Sequence, residues 1–379
     1  MIYADNAATT RISDIAFEKM LPFLREQYGN ASSWYSFGAK TKQAISQARQ
    51  QVAEAIGAQT SEITFTSSGS EANNWVLRCI AEAYQNKQMH IITTAIEHPS
   101  VLNTCYALER KGIGITYLSV DASGRVLADN VKAAITPTTK LASIMLANNE
   151  IGTIQPIAEI GKLLKERGIL FHTDAVQTVG RIPVDVHDLH VDFLTASAHK
   201  FNGAKGTGIL FKQSGLELSS FISGGEQEHG LRAGTENVAG IVATGYAIEE
   251  NITVMKESIK KLRYMVDITV RGIQERIPTV HINGDSDNRL PGMINLGFED
   301  VSGESLMHLL DLKGICVSTS SACNSGKGEP SHVLLALGLT EKQAKSAIRI
   351  SYGRYNTVDD VPVIVSMICD AYDKIKANQ

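Results

Sequence analysis

The sequence has few cysteines, no long apolar run and little net charge, and each of these absences excludes a class of protein. Its 379 residues include five cysteines, and no two of them have the spacing of a metal-binding CxxC pair. The odd number and the scatter argue against a disulfide framework and are typical of a reducing compartment such as the cytoplasm. Polar or charged residues interrupt every apolar run well before the roughly 20 residues that a membrane span needs.

Charge gives no indication of a nucleic-acid or membrane-surface partner either. Lysine and arginine number 36 against 40 acidic residues, for a net charge of -4. Binding to phosphate backbones or anionic lipid headgroups needs a basic excess, which is missing here. The first residues, MIYADNAATT, have no basic stretch followed by an apolar one, so we expect no signal peptide. The length suits one large domain plus a smaller one.

Between about residues 60 and 215, short apolar runs alternate with amphipathic helical patterns such as Ile157–Glu166. This alternation predicts an α/β fold with a mostly parallel sheet and helices on both faces. Ligands on such sheets bind beyond the carboxyl ends of the strands, so we expect the functional residues to follow directly after the strands. The predicted strands are Ile63–Thr66, His90–Thr94, Leu141–Leu146, Ile169–Thr173, Phe193–Ser197 and Gly208–Phe211.

The pattern changes from about Glu249, where a long charged helix predicts the connection into a second unit. Strands near Met293–Leu296 and Cys316–Ser318, followed by a C-terminal helix, predict a small α+β domain there. No internal repeat or low-complexity tract is present.

Two of the strand ends have the composition of a cofactor site, although each also has an ordinary explanation. After Ile63–Thr66 comes SSGSEANN, where a helix that begins near Ser70 would direct its positive end at a phosphate. The same letters also fit a simple helix start. After His90–Thr94 comes AIEHPS with His98, and a single histidine at such an exit is more often structural than catalytic.

Two further strand ends place charge where burial is costly. Asp174 ends an apolar strand and needs a cation, which a protonated pyridine nitrogen or a buried lysine or arginine would supply. Lys200 directly follows Phe193–Ser197, and a Schiff base with an aldehyde cofactor would remove the penalty of burying its ammonium group. Lys205, in the glycine-rich turn beyond it, is the poorer candidate.

Together these strand ends provide a phosphate cradle, a histidine to stack on a ring, an acid for a ring nitrogen and a lysine for a Schiff base. They occur in strand order, so we expect them at one edge of one sheet. That combination predicts pyridoxal phosphate (PLP) as the cofactor, and the sequence predicts no metal site.

The motifs that carry this pattern resemble those of cysteine desulfurases of the NifS/IscS type, within the class-V aminotransferase family of fold type I PLP enzymes. The resemblance runs nearly from end to end, through YADNAATT, FTSSGSEANN, TTAIEHPSVL, NNEIGTIQP, FHTDAVQTVG, SAHKFNGAKGTG, GLRAGTEN, RLPGMINLGF, SSACNSGKGEPSHVL and IRISYGRYNT. It implies a large PLP-binding domain with a seven-stranded type of sheet over residues 13–253. A smaller α+β domain would comprise residues 1–12 and 254–379 and carry a cysteine loop at about 318–332.

The resemblance also implies a role for each cofactor-binding residue. Lys200 forms the Schiff base, Asp174 pairs with the pyridinium nitrogen, and Gln177 donates to the phenolic oxygen. His98 stacks on the ring and shuttles a proton. The residues implied in binding the phosphate are Gly69, Ser70, Ser197 and His199.

Substrate and subunit contacts follow from the same resemblance. Asn149 and Arg349, with Asn30 nearby, correspond to the group that binds the substrate carboxylate, and Asn149 also counts among the cofactor contacts. A guanidinium suits this task because it grips a carboxylate with two parallel hydrogen bonds. Thr235, in RAGTEN, would reach the phosphate of the other subunit, which implies a homodimer with shared active sites.

Cys323 is the implied sulfur acceptor. Small and flexible residues surround it in SSACNSGKGEPS, a composition typical of a functional loop rather than of a packed core. The implied reaction removes sulfur from L-cysteine, releases L-alanine and leaves a persulfide on Cys323. A protein acceptor would then take the sulfur for iron–sulfur clusters, tRNA thiolation or cofactor synthesis. A selenocysteine lyase and a fold type I aminotransferase are the alternative activities, and an inactive homologue that serves as a binding scaffold is a third reading.

Five positions depart from the usual family pattern. None of them removes a residue that the implied mechanism requires. Tyr35 and Glu226 are expected near the mouth of the site, which puts substrate access and the choice of partner in doubt. The five positions are Ala31, Tyr35, Ser68, Ala204 and Glu226.

Overall fold

The computed structural model describes residues 1–84, 88–319 and 329–378. These residues form two units of helices packed on a sheet, each with its own hydrophobic core. The strands are β1 (Ile2–Tyr3), β2 (Ile63–Thr66), β3 (His90–Thr94), β4 (Gly114–Leu118), β5 (Thr139–Ser143), β6 (Leu170–Asp174), β7 (Phe193–Ser197), β8 (Gly208–Lys212), β9 (His281–Asn283), β10 (Met293–Gly297), β11 (Ile315–Cys316), β12 (Ser318–Thr319) and β13 (Ala347–Ser351). The α-helices are α1 (Asp14–Arg25), α2 (Ser36–Ala55), α3 (Gly69–Ala83), α4 (Pro99–Glu109), α5 (Ala128–Ala134), α6 (Ile157–Lys165), α7 (Val238–Arg276), α8 (Gly303–Asp311), α9 (His332–Ala336), α10 (Glu341–Lys345) and α11 (Asp360–Ala377).

The large sheet has seven strands in the order β2-β8-β7-β6-β5-β3-β4. Its pairs are parallel except for β8, which runs antiparallel to both of its neighbours, β2 and β7. The prediction of a mostly parallel sheet is therefore confirmed. All six predicted strands of this region exist, with bounds that match to within a few residues.

Both faces of this sheet are buried, as the continuous apolar character of its strands requires. Neighbouring residues such as Ile91 and Ile92 belong to different core clusters, because successive side chains of a strand point to opposite faces. One face packs against α6, whose Ile157, Ile160 and Leu164 are buried in a helical pattern. The opposite face packs against α3 and α4.

Two predicted boundaries are wrong, and side-chain hydrogen bonds explain both. The strand predicted as Leu141–Leu146 ends at Ser143, because Met145 N donates to the Glu97 carboxylate at 2.9 Å and so does not pair with β3, although Ile144 N and Leu146 N still donate to His172 O and Asp174 O of β6. The long helix begins at Val238 rather than near Glu249, because the Asn237 side chain caps it by accepting from Gly240 N at 3.1 Å.

The second core lies in a smaller sheet with the order β12-β13-β10-β9, in which all pairs are antiparallel. Helices α7, α8 and α11 cover it, with Val266, Leu306 and Ile368 buried against Leu296 and Ile350. Ala4 also belongs to this core, and β1 pairs with β11 in a short parallel ladder. The division at residues 12 and 253 stays a prediction.

A search of the described ranges for a helix long and apolar enough to cross a bilayer finds none.

Candidate active site

A cavity of about 330 Å³ opens where the strands of the large sheet end and where β13 of the smaller sheet approaches them. Ten of the residues predicted from the sequence line it, although they come from widely separated parts of the chain. They are Gly69, Ser70, His98, Asn149, Asp174, Gln177, Ser197, His199, Lys200 and Arg349.

Asp174 is the last residue of β6 and is only 6% exposed. Its Oδ1 accepts from Val176 N at 3.0 Å and its Oδ2 accepts from the Asn73 side-chain amide at 2.7 Å. These donors are neutral, so they orient the carboxylate without supplying the cation that a buried carboxylate favours. The position therefore suits a ligand with a protonated ring nitrogen.

His98 is linked to Asp174 through Asn73 and Ser100. The Asn73 amide donates to both Asp174 Oδ2 and Ser100 Oγ, and His98 Nδ1 lies 2.8 Å from Ser100 Oγ. His98 Nδ1 also accepts from Ser100 N at 3.1 Å, which places the ring proton on Nε2. Burial, with a smaller effect from Lys200, keeps the pKa of His98 below its usual value while Asp174 opposes the shift. The imidazole is therefore neutral at neutral pH.

Lys200 ends a short 3-10 turn, Ala198–Lys200, that directly follows β7. Its Nζ donates to the carbonyl oxygens of Ala7 and Ala8 at 2.6 and 2.7 Å. Gln177 Nε2 donates to the same Ala7 oxygen at 3.0 Å. The N-terminal segment thus closes one side of the cavity. Lys205, by contrast, is exposed and does not line it.

The opposite end of the cavity has the features of an anion site. Helix α3 begins at Gly69, and Ser68 caps it by accepting from Glu71 N at 3.1 Å, so the positive end of a 15-residue helix faces the cavity. A side chain at position 69 would bring a Cβ within 2.7 Å of the Val176 side chain, which explains the glycine. Burial, with smaller effects from the neighbouring lysines, lowers the pKa of His199 to about 4. His199 is therefore a neutral hydrogen-bonding group at this end.

Arg349 lies on β13, the second strand of the smaller sheet, and is 3% exposed. Its Nη1 donates to Asn149 O at 2.8 Å and its Nη2 pairs with Asp5 at 2.6 Å. Within the described part of the chain, its buried Nε has no hydrogen-bond partner. A buried guanidinium with an unused donor, at the wall of a cavity, is suited to bind a carboxylate.

The residues that line the cavity fit pyridoxal phosphate. A helix N-terminus with Ser197 and His199 suits its phosphate, Asp174 suits its ring nitrogen, and the Lys200 amine suits its aldehyde. In residues 1–84, 88–319 and 329–378, no group of three or more His, Cys, Asp or Glu side chains is arranged to hold a metal ion.

Two predicted site residues do not line this cavity within one chain. Asn30 is exposed, and its side chain accepts from Ser32 N at 2.8 Å. Thr235 is exposed and lines a different cavity of about 180 Å³, beside Arg232 and Glu228. The role of Thr235 at a partner's phosphate stays a prediction.

Cys323 lies outside the described residues, so its predicted role stays a prediction. The four cysteines that the structure describes are free thiols. Cys79, Cys105 and Cys369 are buried, and burial raises the pKa of each, that of Cys105 to about 12. Protonated, enclosed thiols are poor nucleophiles. Cys316 is half-buried in β11, which has β1 as its ladder partner.

Two features of the site are not predicted from the sequence. Asn73 sits within α3, away from any strand end, and its link to Asp174 depends on tertiary packing. The Ala7 and Ala8 carbonyls have no side-chain signal, although YADNAATT was among the family motifs.

Among the five departures from the family pattern, Ser68 lines the cavity as the cap of α3, whereas Ala31, Tyr35, Ala204 and Glu226 do not line it.

Comparisons with known proteins relate the whole chain to one family. The model of the family described as aminotransferase class-V matches residues 2–364. A cysteine desulfurase IscS of Clostridium botulinum is 48% identical over 369 residues, which cover 97% of this chain and 93% of that protein. A solved NifS-like protein is 38% identical with a TM-score of 0.93, over 98% of this chain and 99% of its own. SspA, solved in complex with cysteine, is 36% identical with a TM-score of 0.83, over 94% of this chain and 100% of its own.

Proposed function

This chain belongs to the class-V aminotransferase family, and we propose which of its residues carry out the reaction of a PLP-dependent cysteine desulfurase. The chain is a cysteine desulfurase, which takes sulfur from L-cysteine and leaves L-alanine. The observation that carries the proposal is the cavity that brings Lys200, Asp174, His98 and Arg349 together.

Pyridoxal phosphate, when bound, supplies an aldehyde for an amine and a ring that withdraws electrons from the substrate Cα. We assign its ring nitrogen to Asp174, whose orientation is fixed by Asn73 and by Val176 N. Ser197, His199 and the first turn of α3, with Gly69 and Ser70, would hold the phosphate. Gln177 would donate to the phenolic oxygen from Nε2, and Arg181 holds its amide by donating to Oε1 at 2.9 Å.

Arg349 binds the substrate carboxylate in this proposal, and Asn149 belongs to the same wall of the cavity. The contacts with Asp5 and Asn149 O keep the guanidinium in place at the cavity wall. Lys200 Nζ then takes the proton from the substrate Cα, for which a neutral amine close to the cofactor is needed. The neutral His98 lies on the other side of the cavity with its proton on Nε2.

Cys323 is the proposed nucleophile. Its thiolate attacks the sulfur of the substrate, so that an S–S bond forms while the bond between sulfur and Cβ breaks. The electron pair of that bond remains with the carbon skeleton, which takes up protons and leaves as L-alanine. The persulfide then passes to a protein acceptor for iron–sulfur cluster assembly, tRNA thiolation or cofactor synthesis. The high pKa values of Cys79, Cys105 and Cys369 support this choice among the cysteines.

We also propose a homodimer with shared sites, located in the cytoplasm. What supports the shared site is the ion pair of Arg232 with Glu71 at 2.9 Å, which joins the segment of Thr235 to the first turn of α3. The free thiols of the described cysteines are consistent with a reducing compartment.

The test of the activity is alanine release from L-cysteine by the PLP-loaded protein, with Lys200→Ala and Lys205→Ala compared. We expect Lys200→Ala to lose the activity and the absorbance of the bound aldehyde, because no other lysine lines the cavity in the described part of the chain. Lys205→Ala, which removes an exposed lysine five residues away, should retain both. Equal activity in the two variants would contradict the assignment.

A further inference from the structure

Helix α9 forms part of the cavity wall through Ser331, its N-cap, and His332, its first residue. Ser331 stands eight positions after Cys323 in the sequence. A helix of five residues is too short to be stable alone, so its position depends on the contacts that hold it. Val333 and Leu334 provide a packed base, buried in a cluster with Ile96 and Ile151.

Two side-chain hydrogen bonds fasten the first turn of α9 to the cavity. The Ser331 hydroxyl donates to Glu150 Oε2 at 2.5 Å and accepts from Leu334 N at 3.2 Å, so one side chain both caps the helix and ties it down. His332 Nε2 donates to the carbonyl oxygen of Glu97 at 3.0 Å. Ser331 and Glu150 are both buried, so water competes little for this bond.

These two bonds end on the loops that carry proposed site residues. Glu150 directly follows Asn149, whose carbonyl oxygen holds Arg349. Glu97 directly precedes His98. The first turn of α9 is therefore bonded on one side to the loop of Asn149 and on the other side to the loop of His98.

We propose that Glu150 and His332 are positioning residues for sulfur transfer. By fixing Ser331, eight positions after Cys323, and the first turn of α9, they set the rate at which Cys323 takes up the substrate sulfur. The inference rests on the proposed function of Cys323. It assigns to Glu150, Ser331 and His332 an effect on transfer that is separate from cofactor binding and from removal of the Cα proton.

Two measurements on the PLP-loaded protein separate these steps. The first is the rate at which Cys323 gains one sulfur atom in a single turnover with L-cysteine, followed by intact mass. The second is exchange of the Cα hydrogen of L-alanine in deuterated water, which in the proposed scheme needs Lys200 and Arg349 but has no use for Cys323.

For Ser331→Ala, Glu150→Ala and His332→Ala we expect the persulfide rate to fall roughly 10- to 100-fold, because a misplaced reacting group loses that much. The exchange rate and the cofactor absorbance should stay at the level of the unaltered protein. Ser331→Thr, which keeps the hydroxyl, should restore most of the persulfide rate. Glu150→Gln, which keeps an acceptor oxygen, should lose less than Glu150→Ala.

Ser302→Ala is the matched control, because Ser302 caps α8 in the same way, accepting from Ser305 N at 3.3 Å, and does not line the cavity. Loss of a cap alone should leave both rates unchanged there. The proposal is overturned if both rates fall together in the α9 variants, or if neither falls. Failure of the proposed function would look different, since the unaltered protein would then gain no sulfur on Cys323.

Discussion

Glu97 lies in an environment that a carboxyl group does not prefer. Its carboxyl is fully buried, with Oε1 accepting from Thr94 Oγ1 and Met145 N and with no partner for Oε2 within the described residues. Burial raises the pKa of Glu97 to about 8, against the two hydrogen bonds, which lower it. The folded protein therefore holds a neutral carboxyl here at neutral pH.

This protonation predicts a pH effect on stability that Glu97→Gln should remove. The folded pKa lies above the unfolded one, so the stability from the neutral carboxyl is complete below pH 4.5 and is lost as the pH rises through about 8. The glutamine stays neutral, so its free energy of unfolding relative to the unaltered protein should rise by about 1 kcal/mol or more between pH 5 and pH 8.

Urea denaturation at the two pH values measures this difference. Glu159→Gln provides the control, because Glu159 is an exposed carboxyl on α6 and its substitution should show no comparable trend. A difference between Glu97→Gln and the unaltered protein that is the same at both pH values would show that Glu97 is ionised in the folded state.

Single residues were predictable where a strand end marked them. Lys200, Asp174 and His98 each follow a buried apolar run, and the parallel sheet brings such positions to one edge. Asn73 was not predictable, because an amide inside a helix gives no signal of what lies across from it. The Ala7 and Ala8 carbonyls were missed since backbone groups have no side-chain identity.

Among the elements, β4 and β13 were not predicted, for different reasons. Strand β4 lies at the edge of the large sheet, and most of its residues are partly exposed, so its apolar pattern is weak. Strand β13 is fully buried but has Arg349 at its centre, and a charged residue in a short apolar run argues against a buried strand. Arg349, the proposed functional residue, is thus the reason that β13 is not predicted from the sequence.

The start of α3 gives a prediction at the same scale. Gly69→Ala would place a Cβ 2.7 Å from Val176 Cγ2, and Val176 N is one of the donors that orient Asp174. Strain of about 1–3 kcal/mol at such a contact should weaken PLP binding roughly tenfold. Titration of the cofactor absorbance measures the affinity.

Gly114→Ala is the matched control. Gly114 lies on the edge strand β4, and the atom nearest to its added Cβ, Met89 O, is 3.4 Å away. It should bind PLP as the unaltered protein does. Equal affinities of the two variants would mean that the start of α3 tolerates a side chain and that close packing there does not shape the phosphate site.

At the scale of the whole molecule, the N-terminal segment joins the two cores. Ala4 is buried with the smaller sheet, while the next few residues reach Lys200 and Gln177 at the larger one. Arg349 also crosses, from β13 to Asn149 O. The sequence predicted both units, but the contacts between them depend on packing over more than 300 positions of the chain, which local patterns do not encode.

The proposed dimer predicts complementation between two inactive variants. If Thr235 serves the partner's phosphate, a mixed dimer of Lys200→Ala and Thr235→Ala chains contains one site in which both residues are intact. Mixing and refolding the two should therefore restore alanine release from L-cysteine that neither variant shows at the same level alone. Activity no greater than the mean of the separate variants would mean that each site is complete within one chain.

The proposed reaction pairs a cofactor lysine, Lys200, with a sulfur-accepting cysteine, Cys323, and the mass of the intact protein after reaction reports on both residues. The PLP-loaded protein is incubated with L-cysteine in the absence of reductant and its intact mass is determined, beside Cys323→Ala and Lys200→Ala. We expect a gain of one sulfur atom that reductant removes and that both variants lack. A PLP-loaded protein that releases alanine without any sulfur on Cys323 would contradict the proposed reaction.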